Sequence, residues 1–187
     1  MLKVLTKGCE PTRGSKYSAA VDLYASEDCI IAAGETQIIG LGVAIDEEKI
    51  ECIIEGFPKK EWEFELSAKD YERSIRDREH FKNTHYLQVM LRSSLGKKGL
   101  ILPNGVGVID LDYQDEIKMI IHNPIKDIDE NGVRFGASSY CEGCESPQYE
   151  IKKGDKIAQI TLIEHKVNLF GINTDEERTG GFGSTGK

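Results

Sequence analysis

Short runs of β-branched and apolar residues recur along the chain, and turn-forming residues separate them. Four of these runs predict strands, at positions 37–46 (QIIGLGVAID), 85–91 (HYLQVML), 116–122 (EIKMIIH) and 156–163 (KIAQITLI). The chain has 19 glycines and lacks the regular alternation of strands and helices that a parallel sheet requires. The pattern therefore predicts an all-β fold, an antiparallel sandwich or barrel with a jelly-roll-like layout.

Positions 67–83 depart from this strand pattern. The stretch SAKDYERSIRDREHFKN places Tyr71, Ile75 and Arg78 at helical spacing, which predicts a helix. Its apolar stripe is narrow, and many of the other positions are charged. We therefore predict one inserted helix that lies on the surface and does not anchor the core.

The chain is predicted to form a single domain, 1–187, because no stretch rich in glycine, proline and serine divides it. Two excursions, 46–83 and 123–153, interrupt the strand pattern. The second is rich in turn-forming residues and predicts a long loop or an irregular hairpin. The tail 173–187 has one large apolar residue, Phe182, among its glycines, so we expect it to be flexible until something orders it.

The charge balance excludes some classes of partner. The chain has 24 Lys and Arg against 32 Asp and Glu, a net charge of −8, which opposes general affinity for nucleic acid or for an anionic membrane. No apolar run reaches the length of a membrane span, and the first residues lack the apolar core of a signal peptide. The sequence therefore predicts a cytoplasmic protein in which local groups or a metal attract any anionic substrate.

Cysteine and histidine give little sign of a metal site. The five cysteines are scattered and odd in number, which favours reduced thiols over a disulfide framework. Cys141 and Cys144 form a C-x-x-C, and a zinc site there would need two further ligands. The four histidines lack metal-binding spacing, so we interpret them as ordinary surface or partly packed residues.

Positions 92–100 (RSSLGKKGL) follow a predicted strand with a cation, two hydroxyls and a glycine. Arg92, Ser93 and Ser94 would present side-chain donors to phosphate oxygens, and the backbone would add N–H groups. Serine and glycine also mark an ordinary turn, and this stretch alone does not choose between the two interpretations.

Positions 103–117 (PNGVGVIDLDYQDEI) combine an Asn-Gly turn with two alternating carboxylates. Asn104 and Gly105 predict a tight hairpin turn. The period of two places Asp110 and Asp112 on one face of the following strand, with Tyr113 on the other face unless the strand ends or bulges there. A solvated strand end is the plainer interpretation of these acidic residues.

The end of the tail, 178–187 (RTGGFGSTGK), has the groups that a lid over a nucleotide needs. Phe182 supplies a ring to stack on a base, while Arg178, Ser184 and Thr185 supply donors for phosphates. The glycines let such a segment open and close. A disordered terminus explains the glycines but not the phenylalanine and the arginine among them.

Five ordered stretches resemble the motifs of the trimeric dUTPase (deoxyuridine triphosphate nucleotidohydrolase) family: SAAVDLYA at 18–25, RSSLG at 92–96, NGVGVIDLDY at 104–113, GDKIAQI at 154–160 and RTGGFGSTG at 178–186. The resemblance covers most of the chain and implies the all-β, jelly-roll-like fold of that family. It also implies hydrolysis of dUTP to dUMP and pyrophosphate, which limits uracil incorporation into DNA and supplies dUMP for dTMP synthesis.

The resemblance implies a role for each matching residue. Asp110 would orient and activate the water that attacks the α-phosphorus, and Ser93 would hydrogen-bond near the α,β-bridge to assist the leaving pyrophosphate. Tyr113 would lie against the deoxyribose and leave no room for a 2′-hydroxyl. The other substrate contacts are expected from Arg92, Ser94 and Gln159 around the phosphates, from Asn104, Gly105 and Val108 at the uracil, and from Arg178, Phe182, Gly183, Ser184 and Thr185 in the lid.

The same resemblance implies a Mg²⁺ ion held mainly by the substrate phosphates, with Asp22 and Gln159 acting on it through water. Because a carboxylate is a weak base, positioning and charge neutralisation must supply most of the rate. The resemblance also implies a homotrimer whose active sites lie between subunits. The excursions 46–83 and 123–153 exceed the compact core of the family, and we expect them to form rim surfaces that a protein partner could use.

Two other functions stay open. The first is a dCTP deaminase, or a bifunctional deaminase/dUTPase of the same superfamily, since dCTP deaminases are similar in fold and also have RSSLG. Deamination needs a glutamate as proton shuttle where this chain has Ile120, and the deaminases lack the glycine-rich lid. A binding or signalling protein could keep the fold and use the excursions to bind a partner. The presence of both Asp110 and Tyr113 favours retained chemistry.

Overall fold

The computed structural model of the protein describes residues 1–47, 50, 68–124 and 148–172. The strands of this part are β1 (Leu2–Val4), β2 (Thr12–Arg13), β3 (Val21–Tyr24), β4 (Cys29–Ile31), β5 (Thr36–Gly40), β6 (Val43–Ile45), β7 (His85–Leu91), β8 (Gly107–Asp110), β9 (Lys118–His122), β10 (Tyr149–Ile151) and β11 (Lys156–Glu164). Its helices are α1 (Ala68–Lys82), the single turn α2 (Ser93–Gly96) and a 3₁₀ turn at Val167–Phe170.

Antiparallel pairing joins all of these strands. A five-stranded sheet has the order β2-β3-β11-β7-β8, and three two-stranded sheets pair β1 with β6, β4 with β10 and β5 with β9. The two longest strands, β7 and β11, pair over seven residues in the middle of the large sheet. This arrangement confirms the predicted all-β, antiparallel class of fold.

The period-two alternation of β7 explains why it forms a sheet strand. Leu87 and Val89 are buried in the core, whereas Tyr86, Gln88 and Met90 lie on the other face and are half-buried. The core also takes buried residues from most of the other strands; it includes Leu23, Ile31, Ile39, Val43, Met119, Ile121, Ile151, Ile157 and Ile160. One face of the large sheet therefore packs against the core, and the other face is partly accessible.

Helix α1 confirms the inserted helix that the sequence predicts. Its described side chains at Arg73, Arg76, Asp77 and Glu79 are exposed, as expected for a helix on the surface. Near its end, Phe81 stacks on His85 with ring centroids 4.3 Å apart and thereby ties the helix to the start of β7. In the described part of the chain, no helix is long and apolar enough to cross a membrane.

The predicted strand 37–46 is two strands, β5 and β6, separated by a turn. Gly42 has φ +64, a left-handed conformation that favours glycine. The carboxylate of Glu116 accepts a hydrogen bond of 2.8 Å from the Gly42 N–H, and a Cβ on Gly42 would lie 2.6 Å from Cβ of Cys9. The close packing of this turn ends one strand and begins the next.

Several short strands escape the sequence pattern. β10 lies within 123–153, where a loop or an irregular hairpin is predicted, because three residues are too few to show a period. Its partner β4 is equally short, and the pairing rather than the propensity holds both. Residues 51–67 and 125–147, which make up most of the two excursions, lie outside the described residues, and so do Cys141 and Cys144.

Candidate functional site

The RSSLG stretch lies at the end of the packed strand β7. Arg92 follows the strand with extended backbone angles, φ −66 and ψ 141, and Ser93 begins the single turn α2. Leu95 is buried and fixes this turn on the core, while Ser93 and Ser94 are exposed. Buried Leu95 thus holds two hydroxyls and a cation at the surface.

Asp22 is the centre of a cluster of four side chains, called here the Asp22 cluster, with Arg92, Lys156 and Gln159. Its Oδ1 lies 3.2 Å from Nε of Arg92 and accepts a hydrogen bond of 3.2 Å from Nε2 of Gln159. Its Oδ2 accepts a hydrogen bond of 3.1 Å from Nζ of Lys156. The cluster therefore joins β3, the end of β7 and β11, which carry the first, second and fourth motifs.

The sheet register explains why these residues meet. Gln159 of β11 is the pairing partner both of Asp22 on β3 and of Met90 on β7, so residues of all three strands share one row on one face. Arg92 lies two residues beyond Met90 and continues on the same face. Only 6% of the Asp22 side chain is exposed, so its charge is satisfied by these partners rather than by bulk water.

The electrostatics of the cluster favour its charged form. Burial alone would raise the pKa of Asp22, but the hydrogen bonds from Lys156 and Gln159 and the charge of Arg92 outweigh burial and lower that pKa below its ordinary value. The hydrogen bond to Asp22 in turn raises the pKa of Lys156. Two cations and one carboxylate leave a net charge of +1 on a protein of net charge −8, so this spot can attract an anion.

The fit of this cluster to a divalent metal follows from its donor set. A carboxylate can accept about four hydrogen bonds, and the Asp22 carboxylate has three nitrogen partners. At least one acceptor position is left, which suits a metal-bound water. Within residues 1–47, 50, 68–124 and 148–172, no group of three His, Cys, Asp or Glu side chains is arranged to hold a metal by itself.

The third motif begins with a turn but not with a simple hairpin. Gly105 has φ +73, and its N–H donates to the Leu102 carbonyl at 2.9 Å, as expected for an Asn-Gly turn. The two arms of the turn pair with different neighbours, however: Ile101 bridges to His122, and β8 pairs with β7. The predicted tight hairpin is therefore a turn that passes the chain between two parts of the fold.

Asp110 and Tyr113 lie where β8 ends. The strand stops at Asp110, and the Tyr113 N–H donates to the Asp110 carbonyl at 3.1 Å across a turn. Asp110 and Asp112 are exposed while Leu111 and Tyr113 are buried, so the predicted alternation continues beyond the strand. The Tyr113 hydroxyl donates to the Glu116 carbonyl at 3.2 Å, and burial, with Asp115 and Glu116 nearby, raises the pKa of Tyr113.

Within one chain, Asp110 lies far from the Asp22 cluster. Asp110 pairs with Tyr86 near the start of β7, whereas Arg92 lies six residues beyond Tyr86, just past the end of that strand. At about 3.3 Å per residue, the backbone at Asp110 is roughly 20 Å from the backbone at Arg92. The Asp22 cluster and Asp110 share one face of one sheet but cannot contact the same atom of a small ligand.

Comparison with known proteins identifies the family. The deoxyuridine 5'-triphosphate nucleotidohydrolase of Francisella philomiragia is 33% identical over 185 residues, which cover 94% of this chain and 88% of that protein. This chain belongs to the dUTPase family. A second dUTPase, from Candida albicans, is 27% identical over 187 residues, 97% of this chain and 83% of that protein. No family model matches the chain.

Solved dUTPase structures share the fold. The dUTPase from Streptococcus mutans has a TM-score of 0.52 and 18% identity, covering 89% of this chain and 96% of that one. The dUTPase from phage phi11 of S. aureus has a TM-score of 0.55 and 17% identity, covering 98% and 97%. The predicted dUTPase fold is thus confirmed, together with the resemblance on which it rested.

The structure describes some of the site residues that the dUTPase resemblance predicts and not others. Asp22, Arg92 and Gln159 are in contact as one cluster, and Ser93 and Ser94 lie next to it on α2. Gly105, Val108, Asp110 and Tyr113 are grouped around β8, with Val108 exposed. The lid residues Arg178, Phe182, Gly183, Ser184 and Thr185 lie outside the described residues.

One member of the Asp22 cluster, Lys156, is not among the site residues predicted from the sequence. Lys156 occupies the position directly before the I-A-Q of the fourth dUTPase motif, and the structure puts its ammonium on the Asp22 carboxylate. The signal was present in the sequence: a cation at the start of a predicted strand, three residues before the motif glutamine Gln159. Pairing register was needed to see its partner, because 134 positions separate the two residues along the chain.

Proposed function

We propose that this protein hydrolyses dUTP to dUMP and pyrophosphate by in-line attack of water on the α-phosphorus. Its membership of the dUTPase family supports this activity, and its 33% identical relative is a deoxyuridine 5'-triphosphate nucleotidohydrolase. The observation that carries the assignment of roles is the built cation cluster on β3, β7 and β11, on the same sheet face as the exposed carboxylate of Asp110.

The Asp22 cluster is suited to the triphosphate. Arg92 contacts Asp22 through Nε, and its terminal nitrogens have no other partner among the described residues, so they can donate to phosphate oxygens. Ser93 and Ser94, exposed on α2, would add hydroxyl donors near the α,β-bridge. Gln159 would contact the phosphates or a metal-bound water while Asp22 holds its amide.

The β8 segment, residues 104–110, is suited to the nucleoside and to the attacking water. Asn104, Gly105 and Val108 are exposed and would meet the uracil, whose edge the amide and backbone groups can read. Asp110 would accept the proton of the attacking water. Tyr113 would back the deoxyribose with its ring, which the bond from its hydroxyl to Glu116 holds in place. Phe182 and the other lid residues would close over the bound nucleotide.

A divalent cation, Mg²⁺, would neutralise the triphosphate and orient it. A variant of the phage phi11 dUTPase has a structural Mg(II) ion, and the remaining acceptor position of Asp22 suits a metal-bound water. In the proposed mechanism the substrate phosphates would hold the ion, and Asp22 and Gln159 would act on it through water. Chelation with EDTA is expected to reduce the rate, and added Mg²⁺ is expected to restore it.

The separation within one chain supports a site shared between subunits. Asp110 and Ser93 must both lie within a few ångströms of the α-phosphorus. Asp110 pairs with Tyr86 near the start of β7, however, and Ser93 follows the other end of that strand, roughly 20 Å away. One chain therefore cannot complete the site. We propose a homotrimer in which the Asp22 cluster of one subunit faces the β8 segment of another.

Pyrophosphate release from dUTP, dTTP, dCTP and UTP tests the activity. We expect turnover of dUTP alone, and ammonia release from dCTP would instead support the deaminase alternative. Mixing tests the shared site: Asp110→Asn and Arg92→Ala chains, each with strongly reduced activity alone, should regain wild-type activity in about a quarter of sites after random reassembly. A mixture that stays inactive, although light scattering shows mixed trimers, would contradict the proposed sharing.

A further inference from the structure

Lys156 makes two contacts that no role in catalysis yet explains. Its Nζ lies 3.1 Å from Oδ2 of Asp22, and it lies 5.7 Å from the centroid of the Tyr24 ring. The Tyr24 hydroxyl is in turn hydrogen-bonded to Oγ1 of Thr12 at 2.5 Å. The ammonium is thus placed by two strands, β2 and β3, on one side of the carboxylate, while Arg92 and Gln159 occupy the other side.

This division of the two carboxylate oxygens fixes the orientation of the carboxylate. Both Arg92 and Gln159 use Oδ1, so Oδ1 must face them for either contact to form. A carboxylate held by Oδ1 alone can rotate about its Cβ–Cγ bond, a soft rotation for this type of terminal group. The second contact, at Oδ2, removes that freedom because the buried Asp22 side chain is then held at both ends.

The contact also decides how Arg92 is presented. An arginine that uses Nε for an internal carboxylate keeps its terminal nitrogens for an external anion. In this protein Asp22 is the only side-chain partner of Arg92 among the described residues, so the direction of the guanidinium depends on Asp22. Anything that turns the carboxylate turns the arginine.

We propose that Lys156 is a positioning residue that holds Oδ2 of Asp22, and thereby aims Arg92 and Gln159 at the triphosphate. The proposal rests on the proposed function, because it names the ligand that Arg92 receives. Lys156 does not touch the substrate in this account. Its contribution reaches the phosphates through Asp22, and it adds the charge that leaves the cluster at +1.

Three variants test the proposal by steady-state kinetics on dUTP. Lys156→Met keeps the length of the side chain and removes its charge, and we expect KM to rise about 10-fold, the effect of one charge-assisted hydrogen bond, with kcat changed less than about 3-fold. Lys156→Arg should restore KM, because a guanidinium can reach the same oxygen. Lys152→Met is the matched control: among the described residues the Lys152 ammonium pairs with exposed Asp28 and Glu150, and KM should stay unchanged.

A double-mutant cycle separates positioning from direct contact. If Lys156 acts through Asp22, then Lys156→Met should raise KM no further in an Asp22→Asn background. An equal rise in both backgrounds would mean that Lys156 contacts the phosphates itself, and would overturn the proposal. So would an unchanged KM in Lys156→Met. Thermal unfolding of each variant verifies that it folds. If Lys156→Met does not fold, the comparison of Lys156→Arg with the wild type remains as the test.

The outcome is distinguishable from failure of the proposed function. If the wild-type protein does not hydrolyse dUTP, then the function is wrong, whatever the variants do. If the wild type is active and only the cycle fails, then the function stands and the role of Lys156 is wrong. A crystal structure of Lys156→Met provides a readout besides activity: we expect the Arg92 guanidinium to leave Oδ1 of Asp22, and an unmoved guanidinium would count against the proposal.

Discussion

The Asp22 cluster and the β8 segment lie on one face of the same sheet but differ in burial and in internal contacts. The cluster lies on β3, β11 and the end of β7, and its carboxylate is buried and bonded to three side chains. The β8 segment lies at the edge of the sheet, and Asn104, Val108 and Asp110 are exposed. One half of the site is thus assembled within the chain, whereas the other half presents its groups to whatever approaches.

This difference indicates which property each half contributes. A preassembled cation cluster costs little reorganisation when an anion arrives, because its dipoles and charges are already aimed. The carboxylate of Asp110 is exposed, so the proposed second subunit and the substrate can reach it. Changes in the cluster should therefore affect both stability and substrate affinity, and changes at β8 should affect turnover.

The largest effect is expected at Asp110. Asp110→Asn removes the general base, and we expect kcat for dUTP to fall about 10³-fold with little change in the free energy of unfolding, because the side chain is exposed. Pyrophosphate release and urea unfolding measure the two quantities. Asp112→Asn, the next exposed carboxylate, is the control and should retain kcat within about 2-fold. A large loss of stability in Asp110→Asn would contradict the assignment of this half to turnover.

The next effect concerns the opposite half. Arg92→Ala removes the terminal donors and leaves buried Asp22 with one cation fewer, so we expect kcat/KM to fall about 30-fold and stability to fall by about 1–3 kcal/mol. Arg73→Ala on α1 is the control, since the Arg73–Asp77 pair is exposed and contributes little. If Arg92→Ala changed affinity without changing stability, the cluster would not be a preassembled unit.

A third test addresses the turn at Gly42, whose N–H donates to Glu116, the residue that also accepts a hydrogen bond from Tyr113. Gly42→Ala combines a left-handed φ with a Cβ only 2.6 Å from Cys9, so we expect it to destabilise the protein by about 2–4 kcal/mol. Gly34→Ala is the matched control, because Gly34 has φ +73 but nothing within 4 Å of an added Cβ. It should cost only about 1 kcal/mol. Equal costs in thermal unfolding would show that packing against Cys9 is unimportant.

The smallest effect is expected at the Tyr113 hydroxyl. Tyr113→Phe keeps the ring and removes the hydrogen bond to the Glu116 carbonyl, so stability should fall by about 1 kcal/mol while kcat stays within about 3-fold. Discrimination between dUTP and UTP should also persist, because the ring and not the hydroxyl is proposed to back the sugar. Loss of that discrimination in Tyr113→Phe would give the hydroxyl a role in substrate selection.

The sequence predicted the parts of this protein that have a period or a motif. β7 occupies the predicted residues 85–91, β11 extends one residue beyond the predicted 156–163, and α1 falls within the predicted helix, because long alternating or helical patterns identify their elements. β4 and β10 were not predicted, because three residues are too few to show a period. These two strands pair with each other. The break at Gly42 escaped because its cause, the packing of Glu116 and Cys9, is not local.

In the candidate site, too, the sequence predicted the residues but not the contacts between them. Asp22, Arg92 and Gln159 could be named from motifs, but their contact, and the place of Lys156 among them, depend on a register that joins positions 22, 90 and 159. The motifs also gave no sign that Asp110 lies far from Arg92 along the sheet. Order along the chain identifies the participants, and pairing decides which of them one subunit brings together.

The position of β8 at the end of its sheet has a consequence for how the protein is made. In the described part of the chain, only β7 pairs with it, so its outer edge can accept another extended backbone. If the proposed trimer covers this edge, a newly synthesised chain that has not yet assembled leaves it available to a neighbouring strand. We therefore expect yield and solubility to depend on the protein concentration during refolding, with prompt assembly protecting a surface that a lone chain leaves uncovered.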